Sequence, residues 1–180
     1  MLRKALLYLA LTTLTQCSKC KQDDPAPLDQ LPPATQTGAN TFGCLVNGQV
    51  YIPQGNTGTS NFSVLYEPGP MGANLNIQTY SINKNRRQFV NLSCGPVTQS
   101  RAYSLNIPVV EGTASYTDTS LPSPCSAYIG NMPPVYRKGR LTITRLDNNA
   151  GIIAGTFEVT FAVPGCDTLK ITQGRFDARF

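Results

Sequence analysis

The sequence predicts an all-β fold: an antiparallel β-sandwich, jelly-roll-like, of about nine or ten strands, with a closed β-barrel as the alternative. Three observations predict it. Charged residues make up only 14% of the chain, against 15 glycines and 14 prolines, so turns are frequent. Past the N-terminal leader, no stretch has apolar residues at helical spacing. Between residues 140 and 180 the apolar positions recur at every second residue, as a half-buried strand requires.

Residues 1–16 read as a targeting segment. Arg3 and Lys4 give a positive start, and Ala5–Leu14 is a mostly apolar run too short to span a bilayer. The run ends in Leu14-Thr15-Gln16-Cys17, a Leu three residues before a Cys. This resembles the lipobox of bacterial lipoproteins, although Gln16 departs from the small residue usual at that place. The resemblance implies a signal peptide over 1–16 and acylation of the Cys17 sulfur by palmitate-type chains. Cys20 is the rival acceptor, further from the apolar run. Each buried acyl CH₂ contributes about 0.8 kcal/mol, and stable anchoring takes more than one chain, which a diacylated Cys supplies. Loss of the leader lowers the formal charge of +5 by two, leaving a balance too mild and scattered to favour nucleic acid.

Residues 17–40 predict a Pro-rich tether, with Pro25, Pro27, Pro32 and Pro33 and little to bury. At about 3.1 Å per residue it would hold the domain up to roughly 70 Å from a membrane. The acidic pair Asp23-Asp24 resembles the tag with which Bacteroidota send lipoproteins to the outer face of the outer membrane. That implies a lipid-anchored, surface-exposed protein, the periplasmic face being the alternative. The plain reading of the pair is a solvated spacer.

A single all-β domain is expected over 41–180. Asn47-Gly48, between Thr41–Val46 and Gln49–Ile52, is a strong short-range hairpin signal, because both residues accept positive φ. Phe62–Tyr66 reads as a strand stopped by Glu67-Pro68-Gly69-Pro70. In the next strand Leu75, Ile77, Thr79 and Ser81 alternate with Asn76, Gln78, Tyr80 and Ile82. Lys84–Arg87 forms a basic turn, Gln88–Ser93 returns, and further strands are expected in Arg101–Ile107 and Thr113–Thr117. Leu121–Tyr136, with four prolines, reads as a long irregular loop. Leu141–Leu146 leads through Asp147–Gly151 into Gly155–Val163, where Phe157, Val159, Phe161 and Val163 share one face. The last forty residues are expected to hold three or four strands, with Leu169 and Ile171 inward in one and Phe176, Ala178 and Phe180 inward in another. Lys170, Arg175, Asp177 and Arg179 take the outward face.

Cys44, Cys94, Cys125 and Cys166 fall in the domain, and an exported chain meets an oxidising compartment, so disulfides are expected. Four cysteines allow three connectivities. The expected one joins Cys94 to Cys125 and Cys44 to Cys166. The chain has no His, and its one Cys-x-x-Cys pair, Cys17 and Cys20, is claimed by the lipobox, so no metal or other cofactor is expected.

Leu31-Pro32-Pro33-Ala34-Thr35-Gln36-Thr37-Gly38-Ala39-Asn40-Thr41-Phe42-Gly43-Cys44-Leu45-Val46-Asn47-Gly48 runs from the end of the tether into the first hairpin. Gly155-Thr156-Phe157 and Thr172-Gln173-Gly174-Arg175-Phe176-Asp177 stand near its end. Together they resemble the signatures of small Bacteroidota outer-membrane lipoproteins that carry a domain of unknown function. The resemblance implies an envelope lipoprotein with an all-β domain and brings no catalytic residues with it.

Two function classes remain. The first is a non-catalytic binding or structural module, bound to the membrane through its lipid and facing a glycan or an envelope protein. Tyr51, Tyr66, Tyr80, Tyr103, Tyr116, Tyr128 and Tyr136 carry rings able to stack on sugars, although tyrosines near strand ends are more often core edge. The best candidate binding loop runs from Tyr128 through Asn131 to Tyr136. The second class is an envelope hydrolase acting on glycans through two carboxylates about 5–9 Å apart. Its candidates are Glu67, Glu111, Asp118, Asp147, Glu158, Asp167 and Asp177, with Glu158 and Asp177 read as solvated strand residues. Without His, Ser-His-Asp and Cys-His mechanisms fall away. Ser81-Ile82-Asn83-Lys84 fits Ser-x-x-Lys but lacks the motifs that accompany it. Asp147-Asn148-Asn149 has too few oxygens for a calcium loop.

Overall fold

The computed structural model describes residues 25–107, 109–130 and 135–180. The signal peptide, Cys17, Cys20 and the Asp23-Asp24 pair lie outside the described residues. The described chain forms eleven strands and no helix, one or two strands more than expected. They are β1 Thr41–Val46, β2 Gln49–Tyr51, β3 Phe62–Glu67, β4 Ala73–Asn83, β5 Arg86–Val97, β6 Ala102–Ser104, β7 Gly112–Asp118, β8 Ala127–Tyr128, β9 Tyr136–Asp147, β10 Ile152–Ala162 and β11 Leu169–Arg179. One sheet has the order β2-β1-β11-β10-β9-β6 and the other β3-β4-β5-β7-β8. Every strand pair is antiparallel, and the two sheets form a sandwich, not a closed barrel.

The inner faces follow the period of two. Leu75 and Ile77 of β4 and Val90 and Leu92 of β5 meet Leu141, Ile143, Val159, Phe161 and Ile171 of the facing sheet in one apolar cluster. Aromatic contacts run through it, with Phe42 stacked on Phe157 at 5.1 Å and Tyr128 tilted against Phe161 at 6.0 Å. Thr79 also points inward, and its hydroxyl is satisfied by the Tyr51 hydroxyl at 2.9 Å and the Val90 carbonyl at 3.0 Å. A buried polar group with partners on two strands costs little and fixes their register.

The last strand differs from expectation. Thr172–Gly174 does not separate two strands: β11 is continuous from Leu169 to Arg179, and its register against β10 shifts between Phe157 and Val159. Gln173 takes φ +54° at this point. An extra residue in a bulge moves the inward phase by one, from Leu169 and Ile171 to Gly174, Phe176 and Ala178. Four other readings also change. Phe180, expected inward, is 39% exposed just past the end of β11, with its ring 4.4 Å from that of Tyr66. Arg101–Ile107 contributes only the three residues of β6, the loop 121–136 contains the short strand β8, and the first strand of the last forty residues starts back at Tyr136.

The cysteine pairing is corrected. Cys125 is bonded to Cys166, 41 residues apart, so neither Cys94–Cys125 nor Cys44–Cys166 forms. Cys44 and Cys94 sit on inward positions of β1 and β5 as buried free thiols, 0% and 3% exposed. Alternation decides this, because an inward strand residue cannot reach a surface loop cysteine. Burial pushes the Cys94 thiol up to about 12 and raises Cys44 as well. The thiolate is the reactive form. Iodoacetamide is therefore expected to leave both thiols unmodified in the native protein and to label both once denaturant is added, as read by peptide mass. Labelling of either one at neutral pH without denaturant would contradict this packing.

Candidate functional site

The residues before β1 are not a free spacer where they are described. Leu31 is buried, and a Cβ on Gly43 would sit 2.7 Å from Pro32 Cδ, so this segment lies directly on the outer face of β1. Residues 31–40 form a strap. Asp177 of β11 holds it: Thr35 Oγ1 donates to Oδ2 at 2.7 Å, the Thr37 and Ala39 amides to the same oxygen at 2.8 and 3.2 Å, and the Gly38 amide to Oδ1 at 2.7 Å. The Thr37 hydroxyl adds a longer contact at 3.3 Å. Gly38 has φ +74°, and a Cβ there would meet Arg179 Cγ at 2.8 Å, so glycine is required where the strap crosses the strand. Arg145 joins in, donating to the Gln36 carbonyl and to Asp147 Oδ2. The opening and closing signatures of the sequence thus meet at one carboxylate. Asp177 does point away from the core, as alternation requires, but it is 1% exposed because the strap covers it. Burial raises its pKa; the bonds from Thr35, Thr37, Gly38 and Ala39 outweigh that and hold it below the usual carboxylate range.

Three further carboxylates, one buried and two about a third exposed, are also engaged. Asp118 is fully buried against Arg86, whose Nε and Nη2 lie 2.8 and 2.7 Å from Oδ2. The Tyr116 hydroxyl donates to the same oxygen, and the Ser120 amide and hydroxyl to the other. Arg86 therefore leaves the basic tip of Lys84, Arg86 and Arg87. Glu111 accepts from the Ser104 amide and from Arg101, each at 2.7 Å, and these two bonds lower its pKa. Asp147 accepts from Arg145 at 2.7 Å and from the Ala150 amide at 2.9 Å, closing the β9–β10 turn. Glu67, Glu158 and Asp167 are exposed.

Sequence reasoning missed Arg137. Strand alternation turns its side chain inward to 1% exposure, where Nε donates to the Leu105 carbonyl at 2.6 Å and Nη1 to the Ala114 and Gly130 carbonyls at 3.2 and 2.9 Å. It joins strand β7 to two connecting loops. The period of two around Leu141 and Ile143 would have placed it inward, had the strand been started early enough.

Of the candidate binding loop, Asn131 lies outside the described residues. Tyr128 is 3% exposed, with its hydroxyl on the Asp167 carbonyl at 2.9 Å, so it serves the core and cannot stack on a sugar. Tyr136 is 51% exposed. It lines a cleft of about 590 Å³ on the outer face of β9, β10 and β11, together with Glu111, Lys138, Arg140 and Glu158. A second cleft of about 500 Å³ shares Arg140 and Glu158 and is walled by Ala34 of the strap. Arg140 stands directly across from Glu158, and Lys138 across from Thr160, an arrangement of mixed charge. A flat tyrosine-lined face is not among the described surfaces, since Tyr51, Tyr103 and Tyr116 are 1%, 0% and 1% exposed.

The outer face of the other sheet is different in kind. Ser63, Gln78, Asn91 and Ser115 are in register across β3, β4, β5 and β7. One step along, Leu65, Asn76, Ser93 and Thr113 form a parallel row. Tyr80 and Phe89 begin the next, with rings 6.4 Å apart. Two depressions of about 380 and 390 Å³ meet at Gln78 and Asn91, and no charged residue lines either. One is walled by Thr59 and Ser60 in the loop that the Tyr80 hydroxyl pins, the other by Ile129 and Gly130 at the start of the expected binding loop.

No cluster of His, Cys, Asp or Glu able to hold a metal occurs among the described residues. Compared with known proteins, the chain matches no family model, no curated protein and no solved structure.

Proposed function

We propose that the protein is a lipid-anchored module of the bacterial outer membrane, working by binding or as a structural part and not by catalysis. One observation carries the second half of this reading. Each carboxylate that is buried or partly buried among the described residues, namely Asp118 and Asp177, which are buried, and Glu111 and Asp147, which are about a third exposed, is occupied by an arginine, by backbone amides or by both. A glycosidase needs one carboxyl kept protonated and another free to attack or to activate water. The anchored half rests on Leu14-Thr15-Gln16-Cys17 and on the resemblance to Bacteroidota lipoproteins. The strap fits a tethered role, since a pull on the N-terminal segment would be spread over the hydrogen bonds of Asp177 before it reached β1.

A hydrolase has one observation in its favour: Glu111 and Glu158 line the same cleft. Against it, both Glu111 oxygens already accept hydrogen bonds, and its lowered pKa suits an ion-pair partner, not a general acid.

The test combines labelling with an activity assay. Labelled palmitate should enter the wild-type chain and not Cys17→Ser, and only the wild type should sediment with outer membranes. Envelope polysaccharides incubated with the pure protein should release no reducing ends. Unlabelled wild type in the soluble fraction would overturn the anchored half, and reducing ends lost in Glu158→Gln would overturn the other.

A further inference from the structure

We infer that the outer face of the β3-β4-β5-β7 sheet is a binding surface for an uncharged polysaccharide chain, centred on Gln78 and Asn91. The inference rests on the binding reading above and supplies its ligand class.

The chain carries 15 basic and 10 acidic residues, yet none lines the two depressions that meet at Gln78 and Asn91. A solvated sheet face gains solubility from charge, as the β9-β10-β11 face of the same molecule does with Lys138, Arg140, Glu158, Lys170 and Arg175. Side-chain amides and hydroxyls fill the middle of this face instead, in rows that keep register over four strands, with the charged Glu67 and Arg87 at its two ends. The Asn76 and Gln78 amides have no hydrogen-bond partner among the described residues, and Asn91 donates only to Ser115 at 3.3 Å.

Each amide offers a donor and an acceptor side by side. A sugar ring presents adjacent hydroxyls that each give and take a hydrogen bond, so the two sets match without any ion. Covering neutral amides also costs far less than covering charges. Phe89, half-buried beside Tyr80, supplies an aromatic surface at one end of the track for the apolar side of a ring. A polyanion would find no cation in either depression. A protein partner would want an apolar or aromatic centre, whereas the apolar residues Leu65 and Ile129 stand to the sides of the amide rows. The strands lie about 4.8 Å apart, so the rows form a continuous track suited to an extended chain.

Binding of the acylated protein in detergent would be measured on immobilised mixed-linkage β-glucan, galactomannan, xyloglucan and, as the acidic arm, polygalacturonate. At least one neutral polymer should bind, equally at low and high salt. The double variant Gln78→Ala/Asn91→Ala should weaken that binding about tenfold or more, and Lys170→Gln on the opposite sheet should leave it unchanged. Both variants should melt with the wild type, since these side chains project to solvent. Absence of binding to every neutral polymer overturns the inference, as does neutral binding that survives the double variant. Binding confined to polygalacturonate and screened by salt overturns it too, and would move recognition to the charged sheet. None of these results touches the anchored reading, which is judged by acylation. Release of reducing ends from a bound neutral polymer would sink the non-catalytic reading and leave the surface standing.

Discussion

Asp177→Ala is expected to lower the stability of the domain by about 3 kcal/mol, because hydrogen bonds to an ionised group contribute roughly 1.5–3 kcal/mol each and do not add fully. In a domain of this size that is a fall of about 6–12 °C in Tm. The substitution removes the acceptor for Thr35, Thr37, Gly38 and Ala39 together, so residues 31–40 should also become sensitive to protease before the rest unfolds. Asp177→Asn should lose less, since it keeps one oxygen for the Gly38 amide but turns an NH₂ toward other donors. The same contact sets an acid limit. The folded pKa of Asp177 lies below the unfolded value, so its contribution is fully present above about pH 4, near the ordinary Asp value, and is lost as pH falls toward the folded pKa. Asp118 adds in the same direction: burial raises its pKa, and the bonds from Arg86 and Ser120 bring it below the usual value. Melting curves should therefore be flat with pH near neutrality and fall in acid, with a smaller fall in Asp177→Ala. Equal melting of wild type and variant at pH 7, with equal protease resistance of the strap, would refute the clasp.

Removing the Cys125–Cys166 crosslink is expected to cost about 4 kcal/mol, the chain-entropy value for a loop of this length. Cys125→Ser and Cys166→Ser should each show the full loss, because either one opens the same loop. Cys94→Ala should leave every crosslink intact and behave as the loss of a small buried side chain. Peptide mapping without reductant should yield one fragment pair joining the 121–136 loop to the β10–β11 turn. A pair joining Cys94 to Cys125 would refute the arrangement.

Much of the fold was legible in the residues. Phe157, Val159 and Phe161 on alternate positions mark β10, and Asn47-Gly48 marks the β1–β2 turn, with φ of 49° and 80° as a turn positive at both residues needs. Breaks in phase were not legible. Thr172-Gln173-Gly174 looks like a turn because Gly and Gln interrupt the alternation, yet a bulge interrupts it equally, and only the partner strand distinguishes them. Asp177 was read correctly as outward and wrongly as solvated, since what covers it lies about 140 residues earlier in the chain. The amide face was missed as a surface because its rows exist only across strands. Within each strand Asn76 and Gln78, or Asn91 and Ser93, look like ordinary outward residues.

The sequence by itself determined most of the strands, most of their inward positions and the lack of histidine, because these follow from the period of two, from turn residues and from composition. Tertiary structure alone decided that Cys125 meets Cys166, that the strap closes on Asp177 and that the neutral side chains of four strands lie in rows. The physical reason is one of range. Backbone geometry repeats over two residues and is written locally, whereas contacts between distant segments depend on sheet order and register, which local pattern constrains only weakly.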